Sequence, residues 1–311
     1  MTEALPNVEF HLMIPLLREK EFYEPEPQRL IDWPAYSQVQ ITDIKETLRF
    51  IREKVDDAEY LPVPGKTGRP LTNPKTLAKA ILLAEMIGSP ERPSQGWSSI
   101  LGPAVGIFEE LDDRVIGEAY DNIEVLYILE QVFTKTKNSD GRLSGDGTWL
   151  EMSRKQNYEA TKTQHGVPLT SIVDTREVVQ AFATNQNEVR AMHDLIKLVN
   201  GNSLRLDAGF NGRDLVDEIS ALGLKPYVFP KKNNLLNGHL AWKLMYLELY
   251  MDVMTWLVEY HQRSHTESFH SSFKRNYGII TKRRPTSQLS QITARIILHN
   301  RRRIDYFNRQ G

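Results

Sequence analysis

Four residues in the C-terminal part of the chain, Tyr260, Arg263, Glu267 and Lys274, have types and spacings that could do chemistry together. Relative to Glu267 they stand at −7, −4, 0 and +7. On a helix turning about 100° per residue, these offsets share one narrow stripe. A carboxylate flanked by bases of fixed reach suits a site that binds a metal and grips phosphate. Two further acids lie upstream in strand-like settings, Asp146 between Gly145 and Gly147, and Asp207 after Leu204, Arg205 and Leu206. Three acids from three segments, the last among bases, point to two-metal phosphoryl transfer on nucleic acid.

Each acid has a plainer alternative. A carboxylate in mid-strand is costly to bury without a cation, and Mg²⁺ takes carboxylate oxygens, water and phosphate as ligands. Gly145 and Gly147 would equally suit a turn around Asp146. Asp207 ends a strand, where ligands gather in open α/β sheets. It could instead cap a helix beginning near Gly212, a task for which Asn211 is better placed, while Asp214 complements that helix's dipole. Glu267 could form an ordinary solvated pair with Arg263 one turn earlier. His270 is either a phosphate donor or a partly buried helix residue. His261 and His265 lie off the stripe and lack a His-Glu-x-x-His frame, so zinc is not expected. Gly65, Lys66, Thr67 and Gly68 have the wrong spacing for a phosphate loop, so no nucleotide cofactor is expected.

The run Tyr-x2-Arg-x3-Glu-x6-Lys follows an Asp-Gly-Thr block at Asp146 and an Asp-Ala-Gly-Phe block at Asp207. Together they resemble DDE-type insertion-sequence transposases of bacteria and archaea, over about residues 140–285. The resemblance implies a ribonuclease-H-like catalytic domain with Asp146, Asp207 and Glu267 as catalytic residues and ligands of two Mg²⁺ ions, Mn²⁺ being a substitute. It implies that Tyr260 and Lys274 contact terminal phosphates. From its position one turn before Glu267, Arg263 is expected to orient that carboxylate and contact phosphate, and Arg275, Arg283 and Arg284, in the basic C-terminal part, are expected to add DNA contacts. The implied activity is DNA cleavage and strand transfer at the ends of a mobile element, with no covalent protein intermediate. The implied partners are terminal inverted repeats, target DNA and a second copy of the chain in a synaptic homodimer. Many relatives carry a large β-rich insertion between the second and third acids. Here only about sixty residues, mostly helical in pattern, separate Asp207 from Glu267, so none is expected. The alternatives are a catalytically silent DNA-binding regulator or domesticated remnant, and a ribonuclease or repair nuclease on the same fold.

A chain of 311 residues accommodates two domains more naturally than one. It has no cysteine, which removes disulfides and Cys-based zinc sites. The first residues lack a basic stretch followed by an apolar one, so no targeting segment is expected and the location implied is cytoplasmic, on the nucleoid. The apolar stretch 240–258 carries Lys243, Glu248 and Asp252, which favours a buried helix over a membrane span. The net charge of −1 is unevenly spread. Residues 1–140 hold 15 basic and 24 acidic side chains, whereas residues 260–311 hold 11 and 2. That imbalance marks the C-terminal fifth as the expected electrostatic footprint for DNA.

Along the chain, Pro25, Pro27 and Pro34 predict an extended lead over residues 1–35. Apolar residues at helical spacing predict helices at 42–55, capped by Thr42 or Asp43, from Pro74, and at 116–133. The Gly- and Pro-rich loop 61–74 includes Arg69, a candidate minor-groove contact or a plain connector. Residues 135–142 read as a linker. Strands follow at 143–152, 167–174, 177–184, 203–207 and 226–230, with helices at 188–199, 212–222, 238–273 (broken once) and 287–307. The expected fold is thus an all-α N-terminal domain, 1–139, proposed to bind DNA ends. It precedes an α/β domain, 140–311, with a ribonuclease-H-like mixed sheet flanked by helices and basic C-terminal helices.

Overall fold

Residue 142 begins the first strand, where the helical apolar spacing of the preceding residues stops. The computed structural model describes residues 4–17, 30–60, 72–153 and 166–310. Five strands, β1 (Arg142–Glu151), β2 (Gly166–Asp174), β3 (Val179–Thr184), β4 (Ser203–Leu206) and β5 (Lys225–Val228), form one sheet in the order β3-β2-β1-β4-β5. β2 and β3 are antiparallel, while β4 is parallel to both β1 and β5. The parallel pairs need crossovers. Helix Glu188–Leu195 precedes β4 and helix Arg213–Ala221 joins β4 to β5. This is the mixed α/β sheet of a ribonuclease-H-like fold. The stretch between Asp207 and Glu267 holds only one short strand and several helices, so no β-rich insertion interrupts it.

The helices are α1 (Ala4–Leu16), α2 (Trp33–Asp56), α3 (Pro74–Ile87), α4 (Glu91–Val105), α5 (Asp113–Ala119) and α6 (Ile123–Lys135) before the sheet. Within and after it come α7 (Glu188–Leu195), α8 (Arg213–Ala221), α9 (Leu240–Met251), α10 (Val253–His261), α11 (Ser264–Tyr277) and α12 (Pro285–Arg309). Among the described residues no helix is long and apolar enough to cross a membrane. The apolar stretch is instead α9 and the start of α10, divided at Asp252, whose side chain caps α10 by accepting from Thr255 N.

Several elements differ from expectation. The expected extended lead contains α1, because Phe10, Ile14 and Leu17 are buried in one core with Trp242, Tyr246 and Leu249. Tertiary burial of that face outweighs its weak local signal. Helix α2 starts nine residues earlier than expected, at Trp33, because Asp32 accepts from Ala35 N and Pro34 sits in the first turn, where a missing N–H costs nothing. The Gly- and Pro-containing stretch 91–105 is helical, ending at Gly106 in the left-handed conformation, φ 80°. The single helix expected at 116–133 is two, α5 and α6, with Asn122 capping the second. Pro25, Pro27 and Arg69 lie outside the described residues.

The chain forms two compact units. One comprises Met1–Leu30, Asn138–Trp149 and Pro168–Ser272, and carries α1, most of the sheet and α7 to α10. The other comprises Ile31–Lys137, Leu150–Val167 and Phe273–Gly311, in which α12 packs on α2, α3 and α6. The chain passes between the two units at Lys137–Asn138. Helix α1 groups with the sheet, and the basic last helix groups with the N-terminal helices.

That grouping corrects the expected electrostatic footprint. Arg295 bonds Glu85 with both side chains buried, Lys282 pairs with Glu91, Arg301 and Arg302 grip Asp43, and Arg284 meets Asp121 at 3.1 Å. Five of the eleven bases of the C-terminal fifth thus pair with acids of the N-terminal helical region. Lys274, Arg275, Arg283 and Arg284 remain exposed on the surface of this unit.

Candidate active site

Asp146 sits midway along β1, whose Leu143 and Leu150 anchor it in apolar surroundings. Its Oδ1 accepts from Gly147 N–H at 2.9 Å, and its Oδ2 receives Arg263 Nη1 at 3.2 Å. Burial raises its pKa; Gly147 N–H and Arg263 counter this, while the charges of Asp207 and Glu267 add to the rise. Asp207 follows the last residue of β4, where the chain turns into a short 3-10 turn, Ala208–Phe210. Its carboxylate accepts from Gly209 N–H at 2.7 Å. It caps that turn, whereas α8 begins at Gly212 with no side-chain cap, and Asn211 donates to Phe229 O and Tyr246 Oη instead. Glu267 lies in the first turn of α11, half-exposed, and its Oε1 receives Arg263 Nη2 at 2.5 Å.

Arg263 therefore stands between Asp146 and Glu267, bonding both. Its pKa is raised, since burial, which lowers it, is outweighed by Tyr260, Glu267 and Asp146. The stripe does not run along one continuous helix as expected. Tyr260 belongs to α10, Arg263 to the turn at 262–263, and Glu267 and Lys274 to α11. At the break, Arg263 N–H donates to Tyr260 O, three residues back, at 3.0 Å. Tyr260 itself is buried, stacked on Trp256 with centroids 5.3 Å apart, and its pKa is pushed up to about 12 by burial, with Asp207 adding to the rise. A cleft of about 360 Å³ lies beside these groups, lined by Leu17, Phe229, Tyr260, His261, Arg263, Ser264 and Glu267.

With three acids and a bridging arginine in place, the comparison with known families is decisive. Over residues 132–301, more than half of the chain, the sequence matches the family described as Transposase DDE domain. The chain belongs to the DDE transposase family. No curated protein and no solved structure matches it. The DDE transposase match encloses Asp146 on β1, Asp207 just past the end of β4 and Glu267 on α11.

Two residues of this DDE transposase changed standing once placed. His270 is buried and shares a 2.9 Å hydrogen bond with Ser171 Oγ on β2, a packing role rather than a surface phosphate donor. Glu188, in the first turn of α7, drew no attention in the sequence. A Cβ built on Gly147 would run into its carboxyl group, so the glycine beside Asp146 is what admits it. Burial raises the pKa of Glu188, and the charges of Asp146 and Asp207 raise it further. The only sequence signal for it was the pairing of a bare glycine after Asp146 with a capped helix start at Asn187.

Among the described residues, no three His, Cys, Asp or Glu side chains group closely enough, as placed, to hold one ion. The donor chemistry nevertheless fits a hard divalent cation. Every acid concerned offers carboxylate oxygen, the charges of Asp207 and Glu267 add to the raised pKa of Asp146, and Arg263 bonds both Asp146 and Glu267.

Proposed function

We propose that this DDE transposase cleaves DNA at the ends of a mobile element and joins the freed ends to target DNA, with Asp146, Asp207 and Glu267 as its catalytic acids. The observation that carries the reading is Arg263 bonding both Asp146 and Glu267, with Asp207 in the same electrostatic field. The three carboxylates would hold Mg²⁺, or Mn²⁺ in its place, and the bound ions would supply activation of the attacking oxygen and stabilisation of the leaving one. Arg263 orients the Glu267 carboxylate and neutralises phosphate. Tyr260 and Phe229 wall the cleft beside Glu267 and exclude water from that side. Lys274, two turns along α11, holds a flanking phosphate, and Arg275, Arg283 and Arg284 extend the contact. In the first reaction a water oxygen bonds to the scissile phosphorus and the 3′ oxygen leaves as a hydroxyl. In the second that hydroxyl bonds to a target phosphorus, displacing a target 3′ oxygen. Two ends must be processed together, so the working form is a homodimer on paired ends, with the helical unit reading the terminal repeats.

The test is a nicking assay on an end-bearing duplex with Mg²⁺ or Mn²⁺, run beside a gel-shift assay. Asp146→Ala, Asp207→Ala and Glu267→Ala should each abolish nicking and leave end binding largely intact, because affinity comes mainly from basic contacts. Wild-type nicking by any one of them removes that residue from the site. Repeat binding by the native chain with no nicking under either metal would make the protein a silent regulator.

A further inference from the structure

The break between α10 and α11 has an identifiable cause outside both helices. In a continuous helix Arg263 N–H would donate to the carbonyl of Glu259, four residues back. That carbonyl instead accepts from Arg205 Nε at 2.7 Å, while Arg263 N–H goes to Tyr260 O. Arg205 lies on β4, two residues before Asp207, and is 1% exposed. Its Nη2 bonds the Glu259 carboxylate, and its Nη1 reaches Ser203 Oγ on β4 at 2.9 Å and Leu143 O on β1 at 3.3 Å. Beside it, the Ser144 hydroxyl donates to Gln262 O at 3.4 Å. One planar group thus ties together the strand of Asp146, the strand of Asp207 and the helix end that precedes Glu267.

We infer that Arg205 is a positioning residue of the active site: by taking the Glu259 carbonyl it ends α10, and so seats Arg263 and Glu267 against Asp146. The inference rests on the proposed reading of those acids as the catalytic set. Burying a guanidinium is costly, and replacing a whole buried ion pair by apolar side chains often leaves stability unchanged or higher. What Arg205 contributes is therefore position. Its fork of fixed N–H directions serves four acceptors on three elements, which a lysine ammonium cannot do.

The test uses the full chain, which lacks cysteine, so that spin labels attach only at introduced sites. Trp149 on β1 and Ser268 on α11 are both exposed and suit labelling as Trp149→Cys and Ser268→Cys. Dipolar EPR then reads the distance between β1 and α11, and nicking and thermal melting are measured on the unlabelled counterparts. Arg205→Met with Glu259→Leu should shift or broaden that distance and cut nicking by about a hundredfold, the scale of a misplaced reacting group, with no loss of melting temperature. Arg205→Lys, which keeps a cation and loses the fork, should shift the distance in the same way and covers the case in which the double variant fails to fold. Glu259→Gln leaves the backbone carbonyl in place and should keep the native distance, with nicking within a few-fold of native. An unchanged distance in both Arg205 variants overturns the inference, as does a loss of nicking that only follows a loss of melting temperature. Failure of the native chain to nick would reject the proposed function, while the distance measurements would still decide the role of Arg205.

Discussion

Glu85→Ala tests whether the basic last helix is an internal brace or a DNA-binding surface. Glu85 on α3 is buried and accepts from Arg295 Nε at 2.6 Å, Gln291 Nε2 at 2.9 Å and Tyr120 Oη at 2.7 Å. Arg295 is equally buried, with side-chain exposures of 6% and 5% for the pair. Removing the carboxylate leaves a guanidinium in the interior with its principal counter-charge gone, and orphans two further donors. Breaking such a pair from one side costs about 3–5 kcal/mol. At about 2–4 °C per kcal/mol for a folding unit of 150–250 residues, the melting temperature should fall by about 6–20 °C. The partly exposed pair Arg49–Glu46 is the control, and Glu46→Ala should cost no more than about 1 kcal/mol. Glu85→Leu with Arg295→Met should recover most of the loss, since both charges leave together. Thermal melts followed by circular dichroism give these values, and a gel-shift salt series gives the second readout. Arg295→Met should leave the salt dependence of end binding unchanged. A melting loss below about 1 kcal/mol for Glu85→Ala, together with a shallower salt slope for Arg295→Met, would refute the brace and restore the C-terminal helix as a DNA footprint.

Lys274→Ala should behave in the opposite way, lowering the salt slope of end binding by about one unit while changing stability by no more than about 0.5 kcal/mol. Gly147→Ala should cost no more than about 1 kcal/mol, because the added methyl group meets only the Glu188 carboxyl, the far end of an exposed side chain that can swing away, and Glu188→Ala in the same chain should remove that cost in a denaturant titration. A fragment ending at residue 139 should fail to melt cooperatively, because it lacks α12, whose Ile292, Ile296 and Ile297 are buried and whose Arg295 and Arg301 pair with Glu85 and Asp43. A sharp, native-like helical melt from that fragment would show that the N-terminal helices do not need α12.

The sequence by itself determined the parts of this protein that depend on near neighbours. Apolar and β-branched runs between turn signals located all five strands within a few residues, and the crossover helices followed from their spacing. The blocks around Asp146, Asp207 and Glu267 were legible because a carboxylate in an apolar strand, or among bases on a helix, is unusual within its own few residues. Tertiary structure decided whatever required a partner far along the chain. Arg205 reads locally as one polar residue between two leucines, and only its contact with Glu259, 54 positions away, reveals why α10 stops and Arg263 turns toward Asp146. Glu188 reads as a helix's first acidic residue until the missing side chain of Gly147 gives it a place beside the site. The last bases of the chain read as part of a basic footprint and Asp43 as a helix cap, since neither carries a mark of the other. A net count cannot tell a base that meets phosphate from one that meets a buried acid 258 residues away, because that distinction lies in the desolvation of the pair and desolvation is set by packing.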